Sequence, residues 1–137
     1  MPDFILLVDD DPITNFLNER LLHRMAPGRE VLVATNGQHG LELLDQHYHA
    51  GSPGSPALVL LDLNMPVMNG QEFLEKLAAR PPAPHTPVVV VLTSSQLDRD
   101  LARLRHLPVA AFLTKPLTTD SITAILARHF PATPPAA

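Results

Sequence analysis

Hydrophobic positions along the chain fall into two alternating patterns. Five short runs are almost continuously apolar: Phe4 to Val8, Val31 to Ala34, Ala57 to Leu61, Val88 to Leu92 and Ala110 to Leu113. A strand with one wet face alternates, so an unbroken run predicts burial on both faces, as in a parallel sheet covered by helices. Between the runs the apolar residues take helical spacing. Ile13, Phe16, Leu17 and Leu21 form one stripe, Phe73, Leu74 and Leu77 a second, Leu97, Leu101 and Leu104 a third, and Ile122, Ile125 and Leu126 a fourth. Each stripe predicts the face its helix turns toward the core. Gly37 to Leu44 reads as a weaker helix, because Gly40 interrupts it.

Alternation of strand and helix predicts an α/β domain with a parallel sheet and right-handed crossovers. In such sheets ligands sit beyond the carboxyl ends of the strands. The groups standing there are Asp9, Asp10 and Asp11 after the first run, with Pro12 at a plausible first helical position. Asp62 follows the third, Thr93-Ser94-Ser95 the fourth, and Thr114-Lys115-Pro116 the fifth. If the first, third, fourth and fifth strands lie side by side, carboxylates, a hydroxyl and one ammonium converge on one crevice.

Composition narrows the classes of function. At 137 residues the chain fits one domain, expected over 1–130, with the tail 131–137 (PATPPAA) too poor in packing residues to be held. Its 45% hydrophobic content supports an ordinary core, and 48–56 (YHAGSPGSP) reads as a long surface loop. A net charge of -4 disfavours nucleic acid and anionic membrane as partners. The absence of cysteine excludes disulfides, thiolate metal sites and thiol nucleophiles. Met1-Pro2-Asp3 offers no basic leader, and Phe4 to Val8 is too short for a membrane span, so a soluble cytoplasmic protein is expected.

Carboxylates held within about 4–6 Å repel unless a cation sits among them. Mg²⁺ suits all-oxygen donors, taking one or two carboxylates together with phosphate oxygens. Without clustered His or Cys, zinc is disfavoured. Lys115 would add a charge for a phosphoryl oxygen and Thr93 a hydrogen bond, a set suited to phosphoryl transfer onto a carboxylate. Taken alone, Asp9 to Asp11 could equally be a solvated acidic turn capping a helix, Asp62 an N-cap and Lys115 a surface lysine.

The stretches ILLVDDDP (5–12), LVLLDLNMPVMNG (58–70), VVVLTSS (89–95) and FLTKP (112–116) resemble, in this order, the receiver domain of two-component response regulators. The resemblance runs from about Phe4 to Phe130. It implies a doubly wound, flavodoxin-like sheet of order 2-1-3-4-5 with helices on both faces. It implies further that Asp62 is the phosphoacceptor for a sensor histidine kinase or phosphotransfer protein, and that Asp9 and Asp10 hold Mg²⁺, Asp10 more directly, with the backbone carbonyl of Asn64. Thr93 and Lys115 would bind phosphoryl oxygens. Phe112 would be a switch aromatic that turns inward as the Thr93 hydroxyl moves toward phosphate. The Lys115–Pro116 bond would be cis.

On this reading the chain is a stand-alone phosphorylated switch, and no catalyst in its own right beyond assisting its own phosphorylation and dephosphorylation. A downstream protein partner is expected on the fourth-strand to fifth-helix face, including Leu104, Phe112 and Leu117. The longer loop at 48–56, Ala110-Ala111 in place of Gly-Ala, and Phe112 in place of tyrosine depart from the family pattern without removing a reacting group. The competing readings are a degenerate receiver that binds partners without phosphorylation, a haloacid-dehalogenase-like phosphatase and an FMN carrier. The phosphatase would need a carboxylate where Asn64 stands, and the carrier would set its anion against Asp9 to Asp11. The histidines, His47 and His49 included, show no convergence at strand ends.

Overall fold

The computed structural model describes residues 2, 4–48, 57–62, 70–79, 87–93, 104 and 106–130. Along them run β1 (Phe4–Val8), α1 (Pro12–Met25), β2 (Glu30–Ala34), α2 (Gly37–Tyr48), β3 (Leu58–Asp62), α3 (Gly70–Ala78), β4 (Val88–Thr93), β5 (Ala111–Thr114) and α4 (Thr119–His129). The loop expected at 48–56 beyond Tyr48, most of the helix expected around Leu97 and Leu101, and the tail at 131–137 lie outside the described residues.

All strand pairs are parallel, in the order β2-β1-β3-β4-β5. Successive side chains leave a strand on opposite faces, and the buried residues divide accordingly. Phe4, Leu6 and Val8 join Val59, Leu61, Val89 and Val91 under α2 and α3, which contribute Leu41, Leu44, Phe73 and Leu74. Ile5 and Leu7 join Leu58, Leu60, Val90 and Leu92 under α1 and α4, which contribute Leu22, Ile122 and Ile125. Helices on both faces explain the unbroken apolarity of β1 and β3 and the nearly complete burial of β4. β2 and β5 are the sheet edges and are only half-buried over most of their length.

The expected packing face of α1 is corrected by the structure. Ile13, Phe16 and Leu17 are 68%, 58% and 59% exposed, whereas Asn15, Asn18 and Leu22 face the sheet. Only Leu21 of the expected stripe packs partly against the core. The helix phase is set at its start. The Asp11 side chain accepts from the Ile13 backbone N–H at 3.0 Å and from Thr14 Oγ1 at 2.7 Å, and Asn15 Nδ2 donates to the Asp9 carbonyl at 2.8 Å. With those ties made, Leu22 and Ala26 fall on the inner side and supply the apolar contact.

Gly40 has a packing reason that a propensity reading does not reveal. A Cβ built there would lie 3.1 Å from Val8 Cγ2 and 3.2 Å from Phe73 Cε2. The glycine therefore lets α2 approach β1 closely, beneath the residue that precedes Asp9. At the other end of the chain, α4 opens with a capping box in which Thr118 Oγ1 accepts from the Ser121 backbone N–H at 3.1 Å and Ser121 Oγ accepts from the Thr118 N–H at 3.0 Å. That box closes the short link from Lys115, whose bond to Pro116 is cis.

Candidate functional site

Strand register assembles the site. Val8 pairs with Leu61, so Asp9 and Asp62, each one residue further on, leave adjacent strands together. Asp62 pairs with Leu92, which sets Thr93 at the next position, and Thr93 pairs with Thr114, the residue before Lys115. The ladders continue one step past the strands, with the Asp9 N–H donating to Ala34 O at 3.0 Å and the Lys115 N–H to Thr93 O at 2.8 Å. Backbone hydrogen bonds thus fix where each chemical group emerges.

The three aspartates of the first connection divide their labour. Asp11 is the helix cap, and its bonds from Thr14 and Ile13 hold its carboxyl below the usual aspartate range. Asp9, Asp10 and Asp62 each present a carboxylate oxygen within 4.8 Å of the others. Asp11 thus takes the capping role within the acidic run, while Asp9 and Asp10 cluster with Asp62. Asp9, Asp62 and Thr93 are buried, while Asp10 is exposed on the solvent side.

Lys115 supplies the positive charge of the cluster. Its Nζ donates to Asp9 Oδ2 at 3.0 Å and lies 3.4 Å from Asp62 Oδ1. Partial burial alone would lower its pKa. The bond to Asp9 and the charges of Asp62 and Asp9 outweigh that, so the ammonium is held above the ordinary lysine range. Among the described residues one ammonium faces three carboxylates, an imbalance of charge that favours a further cation. The donor set fits a hard divalent ion such as Mg²⁺, because it is all oxygen and one of its carboxylates faces solvent, where waters can complete the coordination.

The remaining expected site residues fare differently. Asn64 lies outside the described residues, as do Ser94 and Ser95. Phe112 is half-buried and packs against the core under α2 and α3, opposite Val91. Leu104 and Leu117 are buried in the two cores, so they do not form the exposed docking face expected of them; among the described residues the exposed large apolar side chains are on α1. His47 is occupied structurally: its ring lies 4.9 Å from that of Phe4, Nδ1 is 3.0 Å from Leu43 O and Nε2 is 3.6 Å from Glu30. Among the described residues no histidine shares the carboxylate cluster.

One residue of the site escaped sequence reasoning. Asn15 binds the Asp9 carbonyl from inside the fold. Its only signal was a pair of asparagines three residues apart on α1, a spacing that reads just as well as a wet helix face.

Comparison with known proteins bears on the same elements. Residues 5–127 match the family model for the response regulator receiver domain. The response regulator Rcp1 of Synechocystis is 32% identical over 114 residues, which cover 83% of this chain and 77% of Rcp1. A two-component response regulator from Cytophaga hutchinsonii aligns with a TM-score of 0.80 at 30% identity, covering 93% of this chain and 96% of that one. The bacteriophytochrome response regulator AtBRR aligns with a TM-score of 0.75 at 35% identity, covering 94% and 93%.

Proposed function

The chain belongs to the response regulator receiver domain family, and we propose that it is a phosphorylatable switch in which Asp62 accepts a phosphoryl group from the phosphohistidine of a sensor kinase or phosphotransfer protein. A carboxylate oxygen of Asp62 attacks phosphorus, the bond from phosphorus to the donor imidazole breaks, and an acyl phosphate forms. The imidazole leaves with the electron pair and takes a proton from solvent. Bound Mg²⁺, held by Asp9, Asp10 and Asp62 with the backbone of Asn64, would neutralise phosphoryl oxygens.

The chain's own groups do the rest. Asp9 holds the Lys115 ammonium at the mouth of the crevice, where it meets a phosphoryl oxygen once Asp62 is modified. Thr93, next to Asp62 in the sheet, donates to another. Movement of the Thr93 hydroxyl toward that oxygen and of Phe112 against the core would bias the β4 to α4 side between two packings, changing the surface offered downstream. The donor protein must cover the carboxyl end of the sheet to reach Asp62. Ile13, Phe16 and Leu17 begin two residues past Asp11 and give that protein an apolar strip to seat on. We place the reaction in the cytoplasm.

The observation that carries this reading is the meeting of Asp9, Asp10 and Asp62 within 4.8 Å, with the Lys115 ammonium against two of them. Intact-mass measurement after treatment with acetyl phosphate and Mg²⁺ tests it. The unaltered chain gains one phosphoryl group, and Asp62→Asn gains none. Stable phosphate on Asp62→Asn would overturn the assignment of the nucleophile. Mg²⁺ binding without any mass gain would mark a phosphorylation-independent binding module instead.

A further inference from the structure

Asp9 is tied at four atoms. Its N–H donates to Ala34 O at 3.0 Å, Oδ1 accepts from the Asp11 N–H at 2.9 Å, Oδ2 accepts from Lys115 Nζ at 3.0 Å, and its carbonyl accepts from Asn15 Nδ2 at 2.8 Å. Strand pairing, a tight turn and opposite charge account for the first three. The fourth comes from a residue that the proposed chemistry does not use.

Asn15 is 4% exposed and faces the sheet from the first turn of α1. A buried amide is unfavourable unless both ends are paired. Here only the nitrogen is paired. Among the described residues Oδ1 accepts no hydrogen bond, so for packing alone an aliphatic side chain of similar size would serve better. The bond that the Asn15 side chain makes among the described residues is distinctive in its acceptor. The carbonyl of Asp9 belongs to the peptide unit joining Asp9 to Asp10, and anchoring it fixes the plane of that unit. That plane contains the Asp10 N–Cα bond, so holding it fixes the point on the backbone from which the Asp10 side chain departs. Asp10 needs such help, because it is exposed and no described side chain or backbone group bonds its carboxylate.

We infer that Asn15 is a positioning residue that aims the Asp10 carboxylate at the cation site by holding the peptide plane between Asp9 and Asp10. The inference rests on the proposed reading of the site as a divalent-cation centre. Groups that orient metal ligands from behind typically change affinity by about 10–100-fold when removed.

Calorimetric titration of Mg²⁺ into the full chain, paired with urea unfolding in Mg²⁺-free buffer, tests it. Asn18, 7% exposed on the same inner face, is the matched control, since its replacement leaves the Asp9 carbonyl bonded. Asn15→Leu is expected to weaken Mg²⁺ about 10-fold or more while its Mg²⁺-free stability is unchanged or raised. Its labelling by acetyl phosphate should slow at low Mg²⁺ and recover at saturating Mg²⁺. Asn18→Leu should bind Mg²⁺ as the unaltered chain does. If Asn15→Leu folds poorly, Asn15→Ala removes the same donor without added bulk and is held to the same expectation. Unchanged Mg²⁺ affinity in the Asn15 variant, or an equal loss in Asn18→Leu, overturns the inference and leaves the proposed function standing. Failure of the unaltered chain to bind Mg²⁺ overturns both.

Discussion

Lys115 Nζ sits 3.0 Å from Asp9 Oδ2, a bond that spans 106 residues of sequence and links the two ends of the sheet's central crevice. The same ammonium lies 3.4 Å from Asp62, so one side chain partly neutralises two buried carboxylates contributed by different strands. Removing it should show in stability and in cation dependence together. Lys115→Met is expected to lower stability by about 1–3 kcal/mol in Mg²⁺-free buffer, less than a fully buried pair, because the ammonium still reaches solvent. Added Mg²⁺ should restore more of the melting temperature in the variant than it adds to the unaltered chain.

The sign of the Lys115 shift sets a pH window. Its pKa is raised in the fold, so the stabilisation is complete below the unfolded value of about 10.4 and disappears as pH climbs through the higher folded value. Urea midpoints should therefore fall more steeply with pH above about 10.4 in the unaltered chain than in Lys115→Met. Parallel curves would show that the ammonium is not coupled to folding.

Clustered like charge makes an opposite prediction for Asp10. Asp10→Asn relieves repulsion with Asp9 and Asp62, so its Mg²⁺-free melting temperature should equal or exceed that of the unaltered chain. A cation at 100 times its Kd stabilises the fold by about 2.7 kcal/mol, and most of that gain should vanish in Asp10→Asn. Thermal melts with and without Mg²⁺ decide the matter, and a full Mg²⁺ shift in the variant would remove Asp10 from the ligand set.

Gly40→Ala sets helix propensity against packing. Alanine favours a helix interior by about 1 kcal/mol, but the new Cβ would press on Val8 and Phe73 at 3.1 and 3.2 Å. Overpacking of a tight core costs about 1–3 kcal/mol, so urea unfolding should show a net loss of stability. A net gain would mean that α2 can move away from β1 freely.

The outward apolar strip of α1 and its inward face should respond differently. Phe16→Ser and Leu17→Ser are expected to change stability by no more than about 0.5 kcal/mol, whereas Leu22→Ala should cost about 2–5 kcal/mol. Both surface variants should take phosphate from acetyl phosphate at the normal rate but more slowly from a phosphohistidine protein. Equal rates from the protein donor would place its docking elsewhere.

Much of the architecture is legible in the amino-acid sequence. Burial on both faces writes itself into β1, β3 and β4 as continuous apolar runs, and the chemistry at their ends was visible because ligand sites collect there. The order of the strands came from family resemblance, since periodicity alone does not choose neighbours. Hydrophobic spacing does not predict the phase of the first helix, because the hydrogen bonds made by Asp11 and Asn15 set it.

By itself, the sequence determined the alternation of elements and the kind of group that ends each strand, because both are properties of contiguous residues. Tertiary structure decided which of three consecutive aspartates caps a helix and which two face Asp62, which strands become edges, and which amide holds the Asp9 carbonyl. Those outcomes depend on parallel register and helix docking between distant segments, and no local pattern encodes how such segments meet.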